Sequence, residues 1–399
     1  MLDPKVAEAS DILILNWRDT GHPEGGGSEL YVEELAAGLA RHGRRVTLVS
    51  AAYRGASHRR SRPDGVEVVH LGGRLSVYPR AALAYLAGRL GRPQVVIEVQ
   101  NGMPFLAGLW ARRADVVVLV HHVHREQWRV VMPAAPARVG WWIESWLAPR
   151  VNRRSRYVAV SDTTRRDLAE LGVPAEHVTV IHNGTPPAYP PGVERAATPS
   201  LLVVSRLVPH KRIELAIDTL AELVPQFPDL TLTVAGRGWW HEQLREHAAQ
   251  RRMTDRVRFL GYVSEQEKAR LYQQAWVGLV PSLKEGWGLV VVEAGRYGTP
   301  SVGFHQAGGV AESIRHGATG LLAHDRGEFT HNTALLLRDQ AMRERLGAQA
   351  AAYAASFTWE EMVRRFVTLL HERRGSDVVA INIHSDDTRL SSGPRPIVH

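Results

Sequence analysis

The sequence contains no cysteine, which excludes disulfides, thiolate metal sites and thiol nucleophiles. Lysine is scarce as well. Of 49 basic residues only Lys5, Lys211, Lys268 and Lys284 are lysines, leaving 45 arginines, so each lysine calls for a reason. No apolar run approaches the about 18 residues that a helical membrane span needs. The longest runs are strand-sized, such as Val-Val-Val-Leu-Val at 116–120. The opening Met1-Leu-Asp-Pro-Lys-Val-Ala-Glu lacks the basic-then-apolar plan of a secretory signal, so a cytoplasmic protein is expected.

The chain that remains is 399 residues long, which at roughly 150 residues per domain predicts two domains. Hydrophobic residues at 44% and charged residues at 23% match an ordinary globular chain, which excludes wholesale disorder or a fibrous repeat. The formal charge is +8, and residues 1–190 hold 24 basic against 18 acidic side chains, so any acidic partner should meet the first half. The arginines are scattered and no nucleic-acid motif accompanies them, so no nucleic-acid partner is expected. The preference for arginine, with abundant Ala, Gly and Leu, also fits a biased genome composition.

Hydrophobic patterning alternates strand and helix. An apolar run at 11–15 leads into a glycine-rich loop and an amphipathic helix over 29–41, and a second strand at 45–50 follows, which makes a βαβ unit and a parallel sheet. Strands recur at 66–70, 95–99, 116–120 and 157–160. The proline-rich stretch 186–192 breaks the pattern, and a second series begins with strands at 201–205, 230–235, 257–260, 277–280 and 300–303. The predicted fold is therefore α/β, two tandem Rossmann-like doubly wound domains. A helix is predicted over 359–373, and the polar, aperiodic 374–399 reads as a mobile tail.

In such sheets ligands bind beyond the carboxyl ends of the strands, so the residues there carry the functional reading. Gly25-Gly26-Gly27-Ser28 precedes a helix whose N-terminal amides favour an anion, although a triple glycine is also an ordinary flexible loop. Arg206 follows the strand at 201–205 and Lys211 opens the next helix; a guanidinium and an ammonium there suit a diphosphate, and two solvated cations are the plainer alternative. After the strand at 277–280 comes Glu285-Gly286-Trp287-Gly288-Leu289, with Glu293 further on. Two carboxylates around a glycine-bearing helix start suit sugar hydroxyls at Glu285 and ribose hydroxyls at Glu293. His121, His122 and His124 end the strand at 116–120. His122 and His124 share one face of an extended segment, and no Asp/Glu/His set at ligand spacing accompanies them, so a cleft-side hydrogen bond is preferred to a metal.

Together these pieces resemble the family 4 retaining glycosyltransferases of the GT-B fold over about residues 11–372. The resemblance is carried by the Gly25-Gly-Gly-Ser-Glu29 loop, the histidine-rich strand end, Val158-Ala-Val-Ser-Asp-Thr-Thr-Arg165, Val180-Ile-His-Asn-Gly184, Arg206 with Lys211, Glu285 through Glu293, and Ala307-Gly-Gly309 with Glu312. Thr185 and Pro186 stand where many relatives have an apolar residue and Asp, and Trp287 replaces a usual Phe.

The resemblance implies two domains facing a deep cleft: 1–190 binding the acceptor, 191–358 binding a nucleotide sugar, and the helix at 359–373 crossing back to the first. It implies retaining, metal-independent transfer of a hexose-type sugar to an acceptor hydroxyl, in cell-envelope, polysaccharide, glycolipid or natural-product glycoside synthesis. Expected catalytic residues are His122, His124, Arg206, Lys211 and Glu285. Donor contacts are expected at Gly26, Gly27, Arg206, Lys211, Tyr262, Val263, Glu285, Gly286, Trp287, Gly288, Leu289 and Glu293, with the nucleotide sugar as co-substrate and no cofactor or metal. The acceptor is a sugar, a lipid-linked or a small molecule. A GT-B epimerase or phosphorylase and a non-catalytic binding module are the competing readings. Residues 128–156 combine Trp128, Trp141, Trp142 and Trp146 with Arg138, Arg150, Arg153, Arg154 and Arg156, which suits peripheral contact with the anionic inner face of a cell membrane. The competing reading is a packing helix whose inward stripe is Trp141, Ser145 and Ala148.

Overall fold

The computed structural model describes residues 11–22, 25–125, 127–190 and 192–372. The tail expected at 374–399 lies outside them. In the first half, strands β1 (Asp11–Leu15), β2 (Arg45–Ser50), β3 (Arg59–Ser61), β4 (Glu67–His70), β5 (Val95–Gln100), β6 (Asp115–Val120), β7 (Arg156–Ala159) and β8 (Val178–Val180) form one sheet in the order β3-β4-β2-β1-β5-β6-β7-β8. All pairings are parallel except β3 with β4. Its helices are α1 (Gly27–Arg41), α2 (Val77–Leu86), α3 (Ala107–Trp110), α4 (Gln127–Val131), α5 (Ala134–Trp142), α6 (Ala148–Val151) and α7 (Asp162–Glu170), with a π-helical turn at Ile143–Leu147 joining α5 to α6.

The second half repeats the plan. Strands β9 (Ser200–Val204), β10 (Thr231–Ala235), β11 (Val257–Gly261), β12 (Val277–Val280), β13 (Ser301–Phe304) and β14 (Gly320–Ala323) form an all-parallel sheet in the order β11-β10-β9-β12-β13-β14. Helices α8 (Ile213–Leu223), α9 (His241–Gln250), α10 (Glu265–Gln274), α11 (Leu289–Arg296), α12 (Val310–Ser313), α13 (Arg326–Arg338), α14 (Gln340–Ala354) and α15 (Trp359–His371) follow among the described residues. Both sheets are covered on their two faces, as their near-continuous Val/Leu/Ile strands require. The expected α/β architecture of two doubly wound units is present.

The expected strands appear within a residue or two of their sequence positions, and α1 starts two residues earlier than its pattern suggests. The short strands β3, β8 and β14 were not anticipated; three or four residues carry too little periodicity to register. The last helix packs on the first half. Thr358 caps α15 by accepting from the Glu361 amide at 3.1 Å, and Trp359, Met362, Val363, Phe366 and Leu369 form its buried face. That face lies on α1, where Gly38 makes the notch: a Cβ there would fall 2.2 Å from Val363 Cγ2.

Candidate active site

The C-terminal edge of the second sheet assembles a charged cluster. Beyond β9, a 3₁₀ turn at Pro209–Lys211 delivers the Lys211 ammonium. Arg212 fixes that turn, donating to the carbonyls of Pro281 at 2.8 Å and Ser282 at 3.2 Å, and so joins it to the loop after β12. Lys211 Nζ pairs with Glu285 Oε1, which also accepts from Ser282 Oγ at 2.7 Å. Burial alone would raise the Glu285 carboxyl, but the Lys211 charge and the bonds from Lys211 and Ser282 outweigh it and hold it below its ordinary value. The Glu285 backbone is locked to the Ala307-Gly308-Gly309 loop by two bonds of 3.0 and 2.9 Å. The guanidinium of Arg206 makes no ion pair or hydrogen bond among the described residues and is exposed.

The following glycines serve different ends. Gly286 allows the two halves to touch, since a Cβ there would lie 2.1 Å from the carbonyl oxygen of His121. Gly288, at φ 86°, is the left-handed residue that starts α11 at Leu289. Trp287 turns away. Its buried ring packs between His182, at 4.2 Å, and Phe357, at 5.1 Å, so only its backbone faces the cluster.

Across the cleft, the expected histidines converge on the same place. The rings of His122 and His124 lie 4.0 Å apart, whereas His121 points the other way and meets Tyr31 edge-on at 5.3 Å. Burial, reinforced by the neighbouring His124, His121, Lys211 and His210, pushes His122 well below its ordinary value, so it is a neutral imidazole near pH 7. The ring of His124 is fixed from behind. The fully buried Glu144 accepts from its backbone N at 3.2 Å, sits 3.1 Å from its Nδ1, and accepts from Trp128 Nε1 at 2.6 Å. The glycine loop closes the third side. Gly26 donates to Glu29 at 2.7 Å, and Glu29 also holds the Arg18 guanidinium at 2.9 Å. A Cβ on Gly26 would be 3.6 Å from Arg206 Nε, and one on Gly27 would be 3.2 Å from Leu289 Cδ2.

Two members of the cluster escape sequence inspection. His210 is pushed down to about 4 by burial and then by the Lys211 and Arg206 charges, and its Nδ1 is buried without a partner among the described residues. Its signal is modest: one histidine beside an uncommon lysine. Glu144 is the only acid between residues 127 and 156, an isolated carboxylate in an apolar and basic stretch.

Other expected residues stand further off. Glu293 is buried one turn into α11 and accepts from Lys268 Nζ and Tyr272 Oη, both at 2.9 Å. Tyr262 and Val263 follow β11, two strands from β9, with Tyr262 exposed beneath the Arg237 guanidinium. On the first-half side, Trp17 and His22 in the loop after β1, Tyr53 in the loop after β2 and His70 at the end of β4 form an edge-to-face aromatic chain, anchored by a buried 2.8 Å contact of His70 with Asp19.

The halves are latched beside this site. Glu312 in α12 accepts from the Asp162 amide at 2.8 Å and from the Thr163 amide and hydroxyl, so an acid of the second half caps the N-terminus of α7 in the first. Lys284 adds a 2.8 Å ion pair to Asp167.

Known proteins share both halves. Residues 25–189 match the family model described as Glycosyltransferase Family 4, and residues 192–353 match Glycosyl transferases group 1. The D-inositol 3-phosphate glycosyltransferase of Corynebacterium efficiens is 26% identical, covering 88% of this chain and 92% of its own. Sucrose-phosphate synthase from Thermosynechococcus elongatus superposes with a TM-score of 0.77 at 20% identity, over 90% of this chain and 98% of that one. Anabaena HepE, solved with UDP and glucose, gives 0.70 at 21%, over 90% and 99%. With one family model on each half and the GT-B arrangement of both sheets, the chain belongs to the family 4 glycosyltransferases of the GT-B fold.

Proposed function

We propose that the chain transfers a hexose-type sugar from a nucleoside-diphosphate sugar to an acceptor hydroxyl with retention of configuration and without a metal ion. The observation that carries this reading is the Lys211–Glu285 pair at the strand ends, facing His122, His124 and the exposed Arg206. Arg206 and Lys211 take the diphosphate, whose charge grows as the bond to the sugar breaks, and they supply the stabilisation that a divalent cation supplies elsewhere. Glu285 and the amides of Gly286–Leu289 hold the sugar hydroxyls, and the glycine loop at Gly26 and Gly27 closes over the phosphates. Glu293 takes the ribose: each of its oxygens accepts one bond from Lys268 or Tyr272 and keeps capacity for another. Tyr262 and Val263, just beyond β11, are the proposed contacts for the base.

In the reaction the anomeric carbon–phosphate oxygen bond breaks, the acceptor oxygen bonds to the same face, and the acceptor proton passes to the departing phosphate. The neutral His122 steers a hydroxyl without adding charge. The acceptor enters from the first half, where Trp17, Tyr53 and the strand-end His70 line the approach. HepE, solved with UDP-glucose, supports a uridine donor as the first to test.

Thermal shifts with UDP-, GDP-, ADP- and TDP-sugars test the donor assignment, because a ligand at 100 times its Kd stabilises by about 2.7 kcal/mol. One nucleotide class should raise Tm in the wild type and do so much less in Arg206→Ala. A panel with no shift, or an equal shift in the variant, would overturn the assignment.

A further inference from the structure

The segment that holds His124 also builds an exposed surface that the transfer reaction does not use. The stripe buried along α5, the π turn and α6 is Ala137, Gly140, Glu144 and Ala148, rotated from the Trp141–Ser145–Ala148 stripe expected from the sequence. Ser145 is only partly buried, and Pro149 lies inside the helical run instead of ending it. The rotation leaves Val139, Trp142 and Trp146 on the outside, 58%, 50% and 44% exposed. The two indoles stack on each other with centres 5.2 Å apart, and the Arg150 guanidinium covers Trp146 at 4.3 Å. Exposed apolar side chains that cluster, unlike those that stand singly, mark an interaction site. The same layer of the first half adds Leu83 and Leu86 on α2 and Leu109 on α3, each at least half exposed.

Charge selects the partner. Residues 71–156, which contain all of these elements, hold thirteen arginines against four acids, a net +9 in a chain of net +8, so the rest of the molecule is near neutral. Two of the four acids, Glu98 and Glu144, are fully buried. Arg138, Arg150 and Arg153 are exposed along the tryptophan segment itself. Stacked indoles rimmed by arginine, with no exposed acid among the described residues 127–156, match the interface of an anionic bilayer, where tryptophan occupies the headgroup layer and arginine meets the phosphates.

We infer that α5 and the π turn dock this chain on an anionic lipid surface. The inference builds on the proposed transfer reaction only in what docking serves: the turn that presents Trp142 and Trp146 outward sends Glu144 inward to His124 and Trp128. Helix α4, which carries Trp128, packs in turn on the 3₁₀ turn bearing Lys211. A bilayer held by this stripe therefore lies against the wall of the cleft, where an acceptor with its hydroxyl in the headgroup layer can enter.

The test is flotation of the full chain with phosphatidylglycerol–phosphatidylcholine vesicles and with phosphatidylcholine alone, requiring neither donor nor acceptor. The wild type should float with the anionic vesicles at low salt, lose most of that binding in high salt, and ignore pure phosphatidylcholine. Trp142→Ser/Trp146→Ser should lower binding by about tenfold or more while far-UV circular dichroism and the nucleotide-induced Tm shift stay unchanged. Arg138→Glu/Arg153→Glu, which spares the indoles, should do likewise. No binding by the wild type, binding unaffected by both double variants, or a stripe that instead holds two copies of the chain together in gel filtration would overturn the inference. Failure of the nucleotide shift with flotation intact would count against the transfer reading alone.

Discussion

Arg206 and Lys211 carry the same formal charge toward the same proposed diphosphate, yet their surroundings separate the outcomes of removing them. Arg206 is exposed and unpaired among the described residues, so Arg206→Ala should leave Tm within a degree or so of wild type. Turnover should fall by about 2–4 kcal/mol of transition-state stabilisation, read as kcat/KM. Lys211→Ala leaves the partly buried Glu285 carboxylate without its counter-charge, so it should cost about 2 kcal/mol of stability as well as activity. Adding Glu285→Gln to it should restore much of the Tm and none of the turnover. Equal Tm losses for the two single variants would contradict this assignment. Histidines set a second expectation. His121, His182 and His210 are each pushed down to about 4, from an ordinary 6.5, chiefly by burial. Between those values the unfolded chain binds protons that the folded chain refuses, so stability is flat above about pH 6.5 and falls as pH drops toward 4. His182→Asn should flatten that slope in a Tm–pH series, and an unchanged slope would refute the link.

At the scale of elements, the cap of α7 is supplied from the opposite half. Glu312→Gln keeps the shape but removes the charge facing three donors, and should cost about 1–2 kcal/mol. Hydrogen exchange should quicken at the Asp162 and Thr163 amides more than in the sheets. Uniform quickening would mean global destabilisation instead of an opened latch. This scale also separates what the sequence discloses from what it hides. The strand ends and the start of α11 at Leu289 are legible because glycine and β-branched runs have local causes. Glu285 and Lys211 are legible as neighbours of those ends. The inward turn of Glu144 is not, because a glutamate in a helical pattern is assigned to solvent, and only the π turn between α5 and α6, with His124 and Trp128 waiting beneath, makes burial tolerable. Trp287 misleads in the opposite sense. Its place between two motif glycines suggests a ligand contact, but the space beside it is filled by His182 and Phe357 from distant parts of the chain.

For the molecule as a whole, function requires the halves to meet, and Gly286 is one place where they pack too closely for a side chain. Gly286→Ala puts a methyl group 2.1 Å from a carbonyl oxygen that cannot yield, so the halves must separate locally. Donor-nucleotide affinity, carried mainly by the second half, should survive within a few-fold, whereas transfer should fall by about a hundredfold or more as His122 and His124 withdraw from the sugar. Loss of nucleotide binding in step with turnover would place the defect inside the second half. Transfer should also persist in EDTA, since Arg206 and Lys211 provide the counter-charge; a strict requirement for added Mg²⁺ or Mn²⁺ would refute that strategy.

The packing of α15 onto α1 makes the chain's order of synthesis different from its order of completion. On a ribosome the first half emerges first, but Tyr31 and the Gly38 notch on α1 lack their cover until residues 359–371 appear. The second half, whose sheet is contiguous in sequence, can close around its own core while the first still exposes an apolar helix face. The earliest-made part of the molecule is thus the last to be finished, and the interval in which it is exposed to aggregation or to chaperones lengthens with every residue inserted between the two.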